Sequence, residues 1–461
     1  MKHITITFAV LTILFSACKQ KEKVKSDPYQ PQDYVQLTHP EWSKNATIYE
    51  VNIRQYTSEG TFKAFESHLP RLKELGIDII WLMPIHPIGE KNRKGSIGSY
   101  YSVKDYYAVN PEFGTMDDLK SLVKKIHDMG MYVILDWVAN HSAWDCNLVS
   151  AHPEWYTRDY NGNFQPTPWY DWSDVIDFDY NQPGIRKYMT EVLKYWVTEA
   201  NIDGYRCDVA GFIPTDFWEN VRKELDEIKP VFMLAEWNAR DLHKAAFDMS
   251  YNWEMYAAMH ELVMNNGSFH RLYEHFAHTV NTFPRNAYWM NFVDNHDKNS
   301  WEGTQFTQFG PALDACIVLT VTAAGMPLVY SGQEAGLDRQ LSFFEKDVIE
   351  WKEHYLFDLY KNLFTLKKEN KSLWNGHWGG EMIPIVNSAD KVLTFAREKD
   401  GDKVLVVINF SDKKTELTME SNIQGGTYKD FISGKEIKIA KTQKLEIEAW
   451  GYRVLSMKSD S

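Results

Sequence analysis

A chain of 461 residues exceeds what one ordinary core organises, so it should hold one large domain and smaller ones. A formal net charge of -13 excludes a nucleic-acid partner, because backbone phosphates need a surplus of Lys and Arg. With 14% aromatics, 17 of them Trp, the chain suits a neutral ligand with flat faces, although core filling explains any single Trp first.

Lys2 and His3 precede an apolar run over 4–17 and then Cys18. The run is too short to span a bilayer as a helix, and a charged start ahead of small residues predicts a secretory signal over 1–18. Leu14-Phe15-Ser16-Ala17-Cys18 resembles a bacterial lipoprotein signal, with Phe15 where that motif usually has Leu. The resemblance implies lipidation of Cys18, export, and a membrane-anchored lipoprotein in the periplasm or at the cell surface. An ordinary cleaved signal is the alternative. Residues 19–40, rich in Lys, Gln and Pro, read as a tether.

Strand-like apolar runs then recur at 47–53, 77–82, 132–135, 204–207, 231–235, 247–251, 289–293 and 327–330, with helical stretches between them. Eight such units over 41–375 predict a (β/α)8 TIM barrel, class α/β. The helical period is clearest at Phe62, Phe65, Leu69, Leu72 and Leu75, which predicts one helix ending at Gly76. After the third strand, 141–183 is rich in Trp, Tyr, Asn and Pro and predicts an inserted subdomain over the barrel mouth. Within it, Asp159-Tyr160-Asn161-Gly162-Asn163 starts like a calcium loop but lacks the later Gly and Glu, so a hairpin turn is expected. Alternating short runs after 375 predict a C-terminal β-sandwich over 376–461.

Three stretches that follow apolar runs carry acids: Gly204-Tyr205-Arg206-Cys207-Asp208, Ala235-Glu236-Trp237 and Asp294-Asn295-His296-Asp297. Arg206 and Asp208 stand two apart, so on a strand they share a face, and the cation is expected to keep Asp208 ionised as a nucleophile. Glu236 comes one βα unit later, which sets the two carboxylates side by side in a parallel sheet. Paired carboxylates suggest glycoside chemistry. Glu236 must then stay protonated near neutral pH, through burial or the charge of Asp208, so that the two acids are pushed apart. Cys207 alternates with these residues and is expected to pack outward; with Cys146 and Cys316 it makes no disulfide or metal-ligand pattern.

In order along the chain, Gly76 to Pro84, Asp136-Trp137-Val138-Ala139-Asn140-His141, Gly204 to Asp208, Glu236, Phe292 to Asp297, and Gly325-Met326-Pro327 with Gly332-Gln333-Glu334 resemble the motifs of the α-amylase superfamily of retaining glycoside hydrolases. The resemblance implies retaining hydrolysis of α-glucosidic bonds in oligosaccharides or polysaccharides, with starch-like α-glucans and malto-oligosaccharides as substrates. It makes Asp208 the nucleophile, Glu236 the acid/base and Asp297 the third acid. Tyr100, His141, Arg206 and His296 would contact substrate, with Tyr101 the rival for the stacking tyrosine, and Asp136 would orient Arg206.

No cofactor is required by this resemblance. Asn140 matches a ligand of the interdomain calcium that some members hold, but Phe212 stands where those members have His, so calcium is not favoured and no metal site is assigned. Gly211 replaces a Lys common in α-amylases, so the leaving-group side must be built differently. The same scaffold also serves transglycosylases and trehalose-forming isomerases. A non-catalytic glycan-binding lipoprotein is a further reading, which loss of one acid would have marked; none is lost. Linkage preference and oligomeric state are left open.

Overall fold

Eight parallel strands close into a barrel, with a short antiparallel pair set between the third and fourth of them. They are β1 (Ile48–Val51), β2 (Ile79–Leu82), β3 (Tyr132–Trp137), then after the pair β4 (His141–Ala143) and β5 (Val175–Asp177), β6 (Gly204–Cys207), β7 (Phe232–Ala235), β8 (Met249–Tyr251), β9 (Tyr288–Asn291) and β10 (Met326–Tyr330). Neighbours around the barrel follow chain order, and β10 pairs with β1 to close it. These strands read as continuous apolar runs because the barrel interior takes one face and the surrounding helices the other. The structure is a computed structural model and describes Tyr29 and residues 34–459, apart from Asn266 and Gln424. The unit Val35–Ser461 contains both the barrel and the C-terminal domain. Cys18 and the signal over 1–18 lie outside the described residues; among those described, no helix is long and apolar enough to cross a membrane.

Two expectations change. The tether expected over 19–40 ends earlier, because residues 36–39 are bound to the barrel: Gln36 N donates to Lys244 O, Arg222 Nη2 donates to Thr38 O, and His39 Nδ1 lies 2.7 Å from Asp248. Asp248 is fully buried beside Arg222, and the His39 ring completes its partners. The single helix expected over 62–75 is two, Phe62–Glu66 and Leu69–Leu75. Pro70 falls in the first turn of the second, where its missing N–H is harmless; in a continuous helix its ring would strike the carbonyl of Glu66. The apolar period survives the break, since Phe62, Phe65, Leu69, Leu72 and Leu75 are all buried.

The C-terminal domain is all β. β11 (Ile383–Pro384), β12 (Val392–Lys399), β13 (Asp402–Asn409), β14 (Thr415–Glu420), β15 (Gly426–Asp430), β16 (Glu436–Ile439), β17 (Thr442–Ile447) and β18 (Tyr452–Met457) form a six-stranded sheet in the order β11-β12-β13-β18-β15-β16 and a second sheet, β14-β17. Leu405, Val407 and Leu455 of the first share a core with Leu417, Met419 and Ile447 of the second. The other face of β13, Val404, Val406 and Ile408, joins the barrel's core. Arg397 on β12 fastens this junction: fully buried, it donates to the carbonyls of Thr322, Ala323, Trp374 and Gly380. Thr322 ends the helix Leu313–Thr322, whose last carbonyls have no partner within the helix and attract a cation.

Candidate active site

Arg206 is the hub. Its side chain points into the barrel with no exposed surface, and such a charge persists only when paired. Nη1 donates to Asp136 Oδ1 at 2.9 Å and to Asp208 Oδ1 at 3.0 Å, and Nε donates to the Tyr251 hydroxyl at 3.1 Å. Nη2 lies 2.9 Å from Glu236 Oε1, an ion pair without hydrogen-bond alignment. One guanidinium thus holds three carboxylates from the C-terminal ends of β3, β6 and β7. The remaining oxygen of Asp136, Oδ2, accepts from Trp81 Nε1 and the Tyr101 hydroxyl, both at 3.1 Å.

Local backbone brings the acids together. Gly204 begins β6 at φ +151, and a Cβ there would come within 1.9 Å of Phe232 O, so only glycine lets β6 lie this close to β7. The residue after Asp208, Val209, is left-handed at φ +35, unusual for a β-branched side chain and costing roughly 1–3 kcal/mol. That turn aims Val209 N at Glu236 Oε2, to which it donates at 2.8 Å. Strain placed between the two acids is the cost of orienting the second.

Burial works against the ionised form of Asp208 that Arg206 is expected to favour. Burial raises Asp208 despite Arg206, and the charges of Asp136 and Asp297 add to the rise. Glu236 is raised by burial too, with Asp208 and Asp297 adding and Arg206 opposing. One cation divided among Asp136, Asp208 and Glu236 does not offset the desolvation of each. Asp136, fully buried, is likewise raised to about 6.

The two histidines end in opposite states. Burial lowers His141 to about 3, leaving it neutral with Nε2 at 4.0 Å from Asp208 Oδ2. His296 is also buried, which lowers it, but Asp297 and Glu50 outweigh burial and raise it to about 9, so it is an imidazolium at neutral pH. Glu50 Oε1 lies 2.5 Å from its Nδ1, while Nε2 faces the Tyr101 hydroxyl at 3.0 Å and Asp297 Oδ1 at 3.5 Å. The two candidate tyrosines have different neighbours. Tyr101 stacks on His296, whereas Tyr100 packs on the Arg54 guanidinium and Phe343. Glu50 and Tyr251 were not anticipated; the signal for Glu50 was a carboxylate inside the apolar run of the first strand.

Asn140 Nδ2 donates to Asp177 Oδ1 at 3.1 Å, and Thr167 Oγ1 donates to the same oxygen at 2.5 Å. Among the described residues no group of three His, Cys, Asp or Glu is placed to hold a metal. Asp159 is consumed by its turn, its Oδ1 accepting from Asn161 N and Asn163 N.

Residues 40–355 match the family described as alpha amylase, catalytic domain, and residues 383–454 match the maltogenic amylase C-terminal domain. A maltogenic α-amylase of Bacillus acidopullulyticus is 28% identical over 423 residues, covering 86% of this chain and 70% of that enzyme. The crystal structure of a noncanonic maltogenic α-amylase from Thermotoga neapolitana superposes with a TM-score of 0.82 at 32% identity, covering 90% of this chain and 98% of its own. That of an α-amylase from Lactobacillus plantarum gives 0.81 at 28% identity, covering 90% of this chain and all of its own.

Proposed function

This chain belongs to the α-amylase superfamily of glycoside hydrolases, and on that premise we propose that it cleaves α-glucosidic bonds in malto-oligosaccharides and related α-glucans with retention of configuration. The observation that carries this reading is the pair Asp208 and Glu236, on neighbouring strand ends and bound to the same guanidinium.

Asp208 attacks the anomeric carbon; its new C–O bond forms as the glycosidic C–O bond breaks, and the proton of Glu236 goes to the departing oxygen. Water then gives its proton to Glu236 and its oxygen to the anomeric carbon, releasing Asp208. The roles suit the surroundings. Burial favours the protonated form of both acids, but of the two Arg206 donates a hydrogen bond only to Asp208, which leaves the proton on Glu236. Asp297 acts as the third acid, and neutral His141, cationic His296 and Tyr101 contact the sugar at the cleavage point. Export and anchoring through Cys18 belong to the same proposal and rest on the charged start, the apolar run and the cysteine alone.

Purified protein incubated with starch, pullulan, maltotriose, isomaltose and trehalose should generate new reducing ends from the maltose-type substrates, followed by chromatography. Asp208→Asn should lower kcat by about 10⁴-fold with an unchanged circular dichroism spectrum. Near-wild-type turnover in that variant would sink the assignment. Rearranged disaccharides without new reducing ends would move the protein to the isomerases.

A further inference from the structure

The leaving-group side of the site departs from the resemblance at Gly211 and Phe212, and the structure assembles something else there. Phe212 is 37% exposed, and its ring lies 5.2 Å from that of Trp237, the residue after Glu236. On its other side it meets Tyr170, 49% exposed, at 5.7 Å. Tyr170 in turn lies 4.4 Å from Trp172, and Trp172 stands 5.6 Å from the His141 ring that faces Asp208. Rings from the insertion, the turn after β6 and the residue after Glu236 therefore form a continuous arc from His141 to Trp237. Gly211 permits it: a Cβ there would meet the Trp237 indole at 2.2 Å.

Core filling does not account for these rings, since two of them keep more than a third of their surface in water while touching one another. Their placement has a chemical consequence. An acid that protonates the departing oxygen must face it, so the sugar carrying that oxygen lies on the Glu236 side. A glucosyl ring presents apolar C–H faces and a rim of hydroxyls, and an aromatic surface covers the faces while the rim stays hydrated.

Resting on the reading of Asp208 and Glu236 given above, we propose that Trp172, Tyr170, Phe212 and Trp237 form an aromatic shelf that binds glucosyl units of the leaving group by stacking, in place of a charged contact. The shelf makes the departing segment's length and its C–H faces, rather than any ionic group, the basis of selection on that side.

The test separates leaving groups. α-Maltosyl fluoride carries no sugar on the Glu236 side and releases fluoride without needing a proton, whereas maltotetraose must seat glucosyl units there. In Phe212→Ala and in Tyr170→Ala, kcat/KM for maltotetraose should fall about tenfold, the loss of one good stacking contact, with less than about a twofold change for maltosyl fluoride. Phe212→Leu keeps apolar bulk without a ring and should lose as much as the alanine variant. Equal losses on both substrates, no loss on maltotetraose, or full activity in Phe212→Leu would each overturn the shelf. Wild-type protein that releases no fluoride would instead overturn the assignment of Asp208 on which the shelf rests.

Discussion

Glu50 shows how a single buried side chain can set the charge of a group two strands away around the barrel. It lies on β1 with no exposed surface, and His296 follows β9, yet the two meet at 2.5 Å. Asp297 and Glu50 favour the imidazolium, the Tyr101 hydroxyl lies beside it, and Arg206 opposes its protonation from further away. Replacing Glu50 by Gln removes one of the two stabilising charges while keeping a group that can accept a hydrogen bond. The His296 imidazolium should then titrate lower by about one unit, read by NMR of the ring, with kcat/KM for maltotriose down about tenfold at pH 7.5. An unmoved titration would show that Asp297 alone sustains the charge. Short spacing on a strand sets Arg206 beside Asp208, and one βα unit between parallel neighbours brings Glu236 next to both, so this juxtaposition was legible in the chain. Sequence reading put Tyr100 ahead of Tyr101 on resemblance alone, since both lie outside a regular element and no period assigns a face there.

At the scale of elements, the insertion is anchored where its hairpin leaves the barrel. β4 pairs His141 with Asp177 of β5, and the side chains of Asn140, Thr167 and Asp177 close on one another beside that pair. We propose that these hydrogen bonds take the place of a bound cation in fastening the insertion. Chelation with EDTA should therefore leave the melting temperature and maltotriose turnover unchanged; a lower melting temperature restored by added Ca²⁺ would refute this account. β13 teaches a related point about reading patterns. Residues 403–410 look like a fully buried strand rather than an alternating one, because one face packs on the barrel and the other on β14 and β17. The break at Ser67-His68 was equally present in the sequence as Pro70, but the uninterrupted apolar period masked it.

For the molecule as a whole, the site is a reservoir of unfavourable charge. Asp136 and Asp177 are raised to about 6, and Asp208 and Glu236 are raised with them, all chiefly by burial. A carboxyl raised in the folded state contributes stability that is present below its unfolded pKa of about 4 and is lost as pH rises through its folded value. His296 has the same sign in a higher window, its contribution present below about 6.5 in the unfolded reference and lost as pH rises through about 9. Asp208→Asn removes one buried acid, so it should melt higher than wild type at pH 7.5, with the gap closing towards pH 4 by calorimetry. A gap that widens towards acid would contradict the sign.

The eight-strand count, the all-β tail and the acids at strand ends were legible in the chain itself, because periodicity and short spacing are local consequences of backbone geometry. The contact of Glu50 with His296, the division of Arg206 among three carboxylates and the arc of rings from Trp172 to Trp237 were decided only by closure of the barrel and the fold of its insertion. Those contacts join residues far apart in the chain, and desolvation, which outweighs the local Arg206–Asp208 pairing, exists only once the interior has formed.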